Sequence, residues 1–496
     1  VAFFLPNFYE GRSMIRYLFI IIAIQLSIGC SINPATGQRD FVLMSEHEEL
    51  ALGRQHSQQV LKTYRVYDDA VLQQYVQSVG ERVARVSHRQ NLIYRFTLLD
   101  STEVNAFALP GGYIYITRGL LAYLNSEAEL AAVLGHELGH VTARHSVRQH
   151  SLSTATSVFG SLIVAASGVR GVDQLTNILG TGIVRGYGRE HELEADGLGV
   201  EYLVKAGYPA SAMRDVIATL KNQELFDKKL ALEQGRQPRV YHGVFSTHPD
   251  NDTRLLQVLG QTGPIPKLSE QGAQDIKFLK KIEGLTFGDS EKDGVIRNNR
   301  FYHPELNFKV TFPAGWLISN KPESIAASAP NNAAFMQLTL QDLNKKITPR
   351  EFLKTRLGLG NTISEGAFSA GKLLGYKAVV NGKTPYGQGK VRIAVLFDGL
   401  RAFVFFAAAK HPKEFGEVDA QVLNSIKSVS ALNRKDRVAA KELKVALTRI
   451  NRSYKNMNTL SKNSPITHHA EDQLRLLNDL FPNGEPKLGD LIKIVR

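Results

Sequence analysis

At 496 residues the chain is too long for one ordinary hydrophobic core, and about three domains are expected, each burying its own apolar face. An apolar content of 43% with 22% charged residues excludes a disordered polymer and sets the expectation of a folded protein. The formal charge of +13 implies attraction to anionic surfaces such as membranes, polyanionic glycans or nucleic acid but specifies neither fold nor partner; among these, no nucleic-acid partner is expected.

The N-terminal stretch "RSMIRYLFIIIAIQLSIGCS" has Arg12 and Arg16 ahead of an apolar run from Tyr17 to Ile28. That run is too short for a membrane span and suits the h-region of an export signal. Met14 reads as the natural start, with 1–13 a misassigned leader. Cys30, the sole cysteine, follows Gly29 and resembles a bacterial lipoprotein processing site, although Ser27 stands where that pattern usually has Leu. The resemblance implies an acylated Cys30 and a membrane lipid anchor after removal of 1–29; Ser31 rather than Asp after the cysteine points to the outer membrane. The alternative is a buried N-terminal helix with an incidental cysteine. Acylation would leave no free thiol, removing cysteine catalysis and disulfides together.

The first block, 30–265, is mostly helical by its apolar spacing, with one strand-like interruption, "YRFTLLDSTEVNAFALPGGYIYITRG", in which Pro110-Gly111-Gly112 separates two extended runs. Next, "NSEAELAAVLGHELGHVTARHSVRQH" starts with Ser126 and Glu129 in capping-box spacing and ends with Arg144, His145 and Arg148, so both ends suit a helix dipole. On this helix His136 and His140 lie four apart, with their imidazoles within reach of a single ion. Glu137 lies beside them, too far round to bind the ion and near enough to take a proton from its water, which is the arrangement zinc catalysis requires. A third protein ligand is needed. In "GREHELEADGLGVEYLVKAGYP", a second helix stopped by Gly207 and Pro209, Glu192 would complete the set and Asp196, one turn on, would bond the distal nitrogen of a ligand histidine. Ala195 and Gly199 would let the two helices approach closely. Read alone, such an acidic helix is usually a solvated face; the histidine pair upstream reverses that reading.

The second block, 285–432, is strand-rich α+β. Phe308, Val310 and Phe312 alternate on one face, Asp398-Gly399 marks a hairpin, and "EFGEVDAQVLNSIKSV" is an amphipathic helix. It is faintly similar to the PsbP type of fold, an interaction module without chemistry. The third block, 441–496, resembles a divergent LysM module, with Asn478 after a Leu pair and Gly489 before a terminal "IKIV" strand, and "NMNTL" in place of the usual Gly-Asp-Thr element. Binding of peptidoglycan, or of another envelope protein, is the corresponding expectation, and His468-His469 reads as an exposed helix start.

In order, "NAFALPGG", "HELGH", "ELEAD" and "STHPDNDTR" resemble the gluzincin metallopeptidases that include HtpX, the CAAX prenyl endopeptidases and the periplasmic proteases of the BepA type, over about Asn33 to Leu259. The resemblance implies a zincin fold and one zinc ion on His136, His140 and Glu192, with Glu137 as general base and later acid and Asp196 as orienter. It implies an edge strand of Asn105, Ala106, Phe107, Ala108 and Leu109 that pairs with an extended substrate backbone. It brings His248, accompanied by Arg254, to the zinc, either bracing the oxyanion or obstructing the cleft. BepA-type proteins end in helical repeats, whereas the second block here is strand-rich, so their assembly partnership is not implied. Membrane members have several spans; none follows the signal here, so prenylated substrates are not expected. The apolar segment "TATSVFGSLIVAASGVRG" reads as a helical lid, or alternatively as a membrane contact.

The expectation is thus a multidomain α+β protein acting as a zinc endopeptidase of the bacterial envelope on unfolded or misassembled proteins. The alternative is an envelope lipoprotein whose zinc is structural or gated shut, serving as chaperone, scaffold or glycan-binding module. An intact Glu137 favours the first, because a structural site needs no base.

Overall fold

A computed structural model describes residues 30–154, 188–236, 238, 253–254, 257–258, 260, 275–321, 324–453 and 456–496. The leader, the apolar segment following Thr154 and His248 lie outside these residues. The chain divides into two compact units, one of 1–221 with 240–281 and one of 222–239 with 282–496.

The first unit opens with strands β1 (Cys30–Ile32) and β2 (Arg39–Phe41), an antiparallel pair, followed by helices α1 (Glu46–Thr63) and α2 (Ala70–Ala84). Strands β3 (Arg95–Leu99), β4 (Ala106–Leu109) and β5 (Tyr113–Thr117) form a sheet in the order β3-β5-β4, so β4 is an edge strand. The turn between β4 and β5 needs two left-handed residues, supplied by Gly111 (φ +75°) and Gly112 (φ +87°). Helices α3 (Arg118–Tyr123), α4 (Glu127–Thr142) and α5 (Arg189–Lys205) follow; α6 (Ser211–Glu233) begins in this unit and runs past its boundary at 221, and α7 (Ile276–Ile282) ends at the boundary after 281.

Helix α4 starts as the sequence predicts. The Glu129 amide donates to Ser126 Oγ at 3.1 Å, and the Glu129 carboxylate accepts from the Asn125 amide at 2.8 Å. Such a cap contributes about 1 kcal/mol. Every residue from Glu129 to Thr142 is buried, so the helix is enclosed rather than half-solvated. It also ends earlier than the periodicity implies: Arg144 takes φ +56°, and a separate helical stretch begins at 145. The left-handed turn carries the Arg144 guanidinium into the protein, where Nε donates to Glu49 at 2.8 Å and Nη2 to the Met44 carbonyl at 3.1 Å.

Helices α4 and α5 cross where both are glycine-rich. A Cβ on Gly139 would lie 2.9 Å from the Ala195 carbonyl oxygen, and one on Gly199 would lie 3.1 Å from the His136 amide nitrogen. Glu192, Ala195, Asp196, Gly199, Tyr202 and Leu203 are the buried face of α5, at spacings of three and four that keep them on one side. Two of them are acids, facing the histidines of α4.

The second unit holds β6 (Thr286–Phe287), a small sheet of β7 (Val295–Arg297), β8 (Arg300–His303) and β9 (Phe308–Thr311), and seven further strands from β10 (Leu317–Lys321) through β11 (Ser324–Ser328), β12 (Ala334–Asp342), β13 (Ser364–Ala370), β14 (Leu373–Thr384) and β15 (Gly387–Asp398) to β16 (Arg401–Ala409). The seven form one antiparallel sheet in the order β10-β11-β12-β16-β15-β14-β13, with the β15–β16 hairpin turning at Gly399 (φ +61°). Helix α8 (Phe415–Lys427) packs Val422 and Ile426 against Phe403 and Phe405 on one face. The opposite face packs Val404 and Val395 on Phe352 and Leu353. With both faces covered, β15 and β16 read as apolar runs rather than alternating strands. Helix α9 (Arg434–Ala439) leads to β17 (Leu443–Arg449), α10 (Met457–Lys462), α11 (Ala470–Leu477) and β18 (Leu491–Val495). Strand β17 lies between β18 and β6. The fold class is therefore α+β, a helical region followed by a strand-rich one, as the sequence predicts. No described helix is long and apolar enough to cross a membrane.

The crossing of α4 and α5 makes a direct test. Gly139→Ala forces backbone apart and should destabilise by about 1–3 kcal/mol, the usual scale of overpacking, read as a lowered thermal midpoint. Gly197→Ala, on α5 with nothing within 4 Å of its new Cβ, should be neutral or stabilising in the same melt.

Candidate metal centre

His136 and His140 project from one face of α4 toward Glu192 of α5. Their Nε2 atoms are 3.0 Å apart, and the Glu192 carboxylate oxygens lie 3.5 Å from each. All three residues are buried, Glu192 completely. Among the described residues this is the one group of His, Cys, Asp or Glu side chains able to converge on a single ion. A tetrahedral zinc with bonds of about 2.0–2.1 Å to nitrogen and oxygen sets its ligand atoms roughly 3.3 Å apart, and the three separations bracket that value. The donor set, two imidazoles and one carboxylate with room for a further ligand, is that of catalytic rather than structural zinc.

Each histidine is aimed by its other ring nitrogen. His136 Nδ1 lies 2.8 Å from Asp196 Oδ1. Asp196 is gripped from the far side by Arg254, whose Nε and Nη2 donate at 2.8 and 2.9 Å, while Arg254 Nη1 stands 3.4 Å from Glu192. Burial by itself would raise the Asp196 carboxyl; the Arg254 charge and His136 more than offset it and hold the group well below the carboxylate range. Burial likewise pushes His136 down, and Asp196 reverses the direction. On the other side His140 Nδ1 lies 2.8 Å from His145 Nδ1, and His145 Nε2 lies 3.1 Å from Glu194. Burial would raise Glu194, but His145 and Arg148 bring it down to about 2.

The sequence reading missed His145 and Glu194. The sequence pattern puts His145 among the cations ending one continuous helix, and residues five apart on such a helix point roughly 140° away from each other. Only the break at Arg144 turns His145 toward His140. Glu194 lies between two residues singled out for the site and carried no distinguishing pattern.

Glu137 is buried and lines, with His136, Arg254 and Ala106, a small cleft whose other walls include Leu120, Val133, Met213 and Val216. Ala108 and Leu109 line a second small cleft with His140 and Arg144. Strand β4 thus borders both histidines. Asn105, just before it, is buried, and its amide donates to Thr117 Oγ1 at 3.1 Å. Phe107 stacks on Tyr115, centroids 5.0 Å apart. The backbone of Cys30 pairs with Phe41, far along the chain from these residues.

Asp196→Asn keeps the shape and an acceptor for His136 while removing the charge. Zinc affinity, measured by competition with a chromophoric chelator, should fall about 10- to 100-fold, the usual scale for partners of metal ligands.

Comparison with known proteins places the match on this same region. The profile of Peptidase family M48 matches residues 70–262. The β-barrel assembly-enhancing protease of Escherichia coli K12 is 28% identical over 270 residues, 52% of this chain and 53% of that protein. The mitochondrial metalloendopeptidase OMA1 of Schizosaccharomyces pombe is 30% identical over 185 residues, 37% of this chain and 51% of that protein. The chain thus spans about half the length of these two relatives. The metalloprotease YcaL of Escherichia coli K12 is 31% identical over 187 residues, 36% of this chain and 68% of that protein. With its two-helix set of His136, His140 and Glu192 and these matches, the chain belongs to Peptidase family M48.

Proposed function

We propose that this chain is a zinc-dependent endopeptidase of the bacterial cell envelope that cleaves unfolded or misassembled proteins. The observation that carries the reading is Glu137, one residue from His136 and lining the same cleft. A structural metal site has no use for a carboxylate beside its ligands, whereas peptide hydrolysis needs one. Zinc, when bound, lowers the pKa of a water to about 7 and polarises a carbonyl. Glu137 accepts the proton of the attacking water and later returns it to the leaving amine nitrogen. Strand β4, at the edge of its sheet among the described residues and bordering the histidines, suits an extended substrate backbone added by main-chain hydrogen bonds, so the enzyme would read shape and extension more than side-chain sequence. Such a substrate must be unfolded locally. The name of the β-barrel assembly-enhancing relatives supports an envelope setting. For His248, which lies outside the described residues, the family resemblance supports a regulatory role over an oxyanion-bracing one, since an envelope protease must spare folded neighbours.

The remaining segments fit a tethered protein. An acylated Cys30 would hold the chain at the outer membrane. The strand-helix-helix-strand order of β17, α10, α11 and β18 supports the resemblance of the tail to a LysM module, in which Asn478 bonds the Lys493 backbone in both directions at 2.8 Å. Peptidoglycan or another envelope protein is the partner proposed for it.

Glu137→Gln should keep zinc bound while cleavage of an unfolded substrate falls by about 10²-fold or more, the scale of general-base loss. Equal rates for the zinc-loaded wild type and variant would reject the peptidase reading. Cys30→Ala should release the protein from the membrane fraction and abolish acyl labelling; retention as an integral membrane protein would instead assign anchoring to the apolar run.

A further inference from the structure

We infer that His145 and Glu194 form a hydrogen-bond relay that sets the tautomer of His140 and so positions it as a metal ligand. The inference rests on the zinc reading of His136, His140 and Glu192 and extends it to two residues that touch no metal. The relay runs in one line. His140 Nδ1 is 2.8 Å from His145 Nδ1, and His145 Nε2 is 3.1 Å from Glu194 Oε2. Glu194 is fixed in turn by Arg148 Nη1 at 2.9 Å and by Asn33 Nδ2 at 3.4 Å. His145 is fully buried and stacks on His191 with centroids 4.3 Å apart, so its ring has little freedom to turn.

Proton counting leaves one arrangement compatible with metal. A carboxylate paired with Arg148 only accepts, so His145 Nε2 must carry a proton and donate to it. A neutral His145 then has a lone pair on Nδ1 facing His140. That lone pair requires the proton of His140 to sit on Nδ1, which leaves Nε2 of His140 unprotonated and directed at Glu192 and His136. In the opposite tautomer, His140 Nε2 would carry a hydrogen where a metal must bind. His136 has a carboxylate, Asp196, in the corresponding place, so the two ligands are oriented by different chemistries: one directly by an acid and the other by an acid acting through a second imidazole.

The relay depends on the left-handed Arg144. Without the break there, His145 would point away from His140, and the contact that closes the relay could not form. Glu49, which holds Arg144 at 2.8 Å, is thereby a remote support of the metal site.

The test uses the full chain. Zinc dissociation constants are measured by chelator competition for wild type, His145→Phe, Glu194→Ala and Glu194→Gln, with thermal melts to establish folding. His145→Phe and Glu194→Ala should bind zinc about 10- to 100-fold more weakly. Glu194→Gln, whose amide oxygen still accepts from His145, should lie closer to wild type, a rescue that a merely space-filling residue would not produce. In the zinc-loaded wild type, imidazole ¹⁵N shifts should show the proton of His145 on Nε2 and that of His140 on Nδ1. If His145→Phe fails to fold, the Glu194 pair and the ¹⁵N shifts decide. Zinc binding that needs His136 and Glu192 but is unchanged in both Glu194 variants, or His145 protonated on Nδ1, overturns the relay and leaves the metal site standing. No zinc binding by folded wild type overturns the metal site and the relay together.

Discussion

The metal centre depends on how near α5 can come to α4. Two histidines on one turn of a helix offer an ion two nitrogens and no more; the third ligand has to arrive from a different part of the chain. It does so because the crossing has no side chains in the way, with Gly139 against Ala195 and Gly199 against the backbone of His136. At that separation Glu192 and Asp196 reach the histidines with one methylene to spare relative to each other, the longer side chain toward the metal and the shorter toward a ring nitrogen. A wider crossing would leave the same residues as an ordinary buried acidic patch, at considerable cost in desolvation.

Burial of these acids is tolerable because of their charged partners. Asp196 has Arg254 and His136; Glu49 has Arg89 at 2.6 Å and Arg144 at 2.8 Å. Buried pairs of this kind contribute little net stability against an apolar replacement, yet removing one partner is expensive, so they act as constraints on geometry. Here they link α1, the segment after α2 and the end of α4. The turn at Arg144 is a consequence, and with it the placement of His145. Helix packing therefore brings the ligands together while buried ion pairs decide how the ligands are turned.

The second unit shows a different economy. Its sheet buries both faces, with aromatic residues of β16 under α8 and the alternate residues of the same strand under Phe352 and Leu353. None of its described titratable residues joins a group able to converge on an ion. A bidentate ion pair, Arg392 Nε and Nη2 with Asp419 at 2.6 Å, joins β15 to α8 and reads as a staple of the fold. Among the described residues the candidate metal centre belongs to the helical unit.

Much of the site was legible in the sequence because helical geometry is local. The spacing of His136, Glu137 and His140, and of Glu192 and Asp196, follows from 3.6 residues per turn, and capping at Ser126 marks where the first helix starts. The Pro110-Gly111-Gly112 turn and the Asp398-Gly399 hairpin were legible for the same reason, since a left-handed backbone favours glycine. Whatever required two distant segments was not. The pairing of β6 with β17 joins residues at opposite ends of the second unit and leaves no periodicity in either. The enclosure of α4 on every side was hidden because an apolar stripe is the same whether the remaining faces meet water or protein. His145 and Glu194 were hidden most completely: their contact exists only because Arg144 leaves the helical conformation to meet Glu49, and that exchange of a local preference for a buried ion pair is decided by tertiary structure alone.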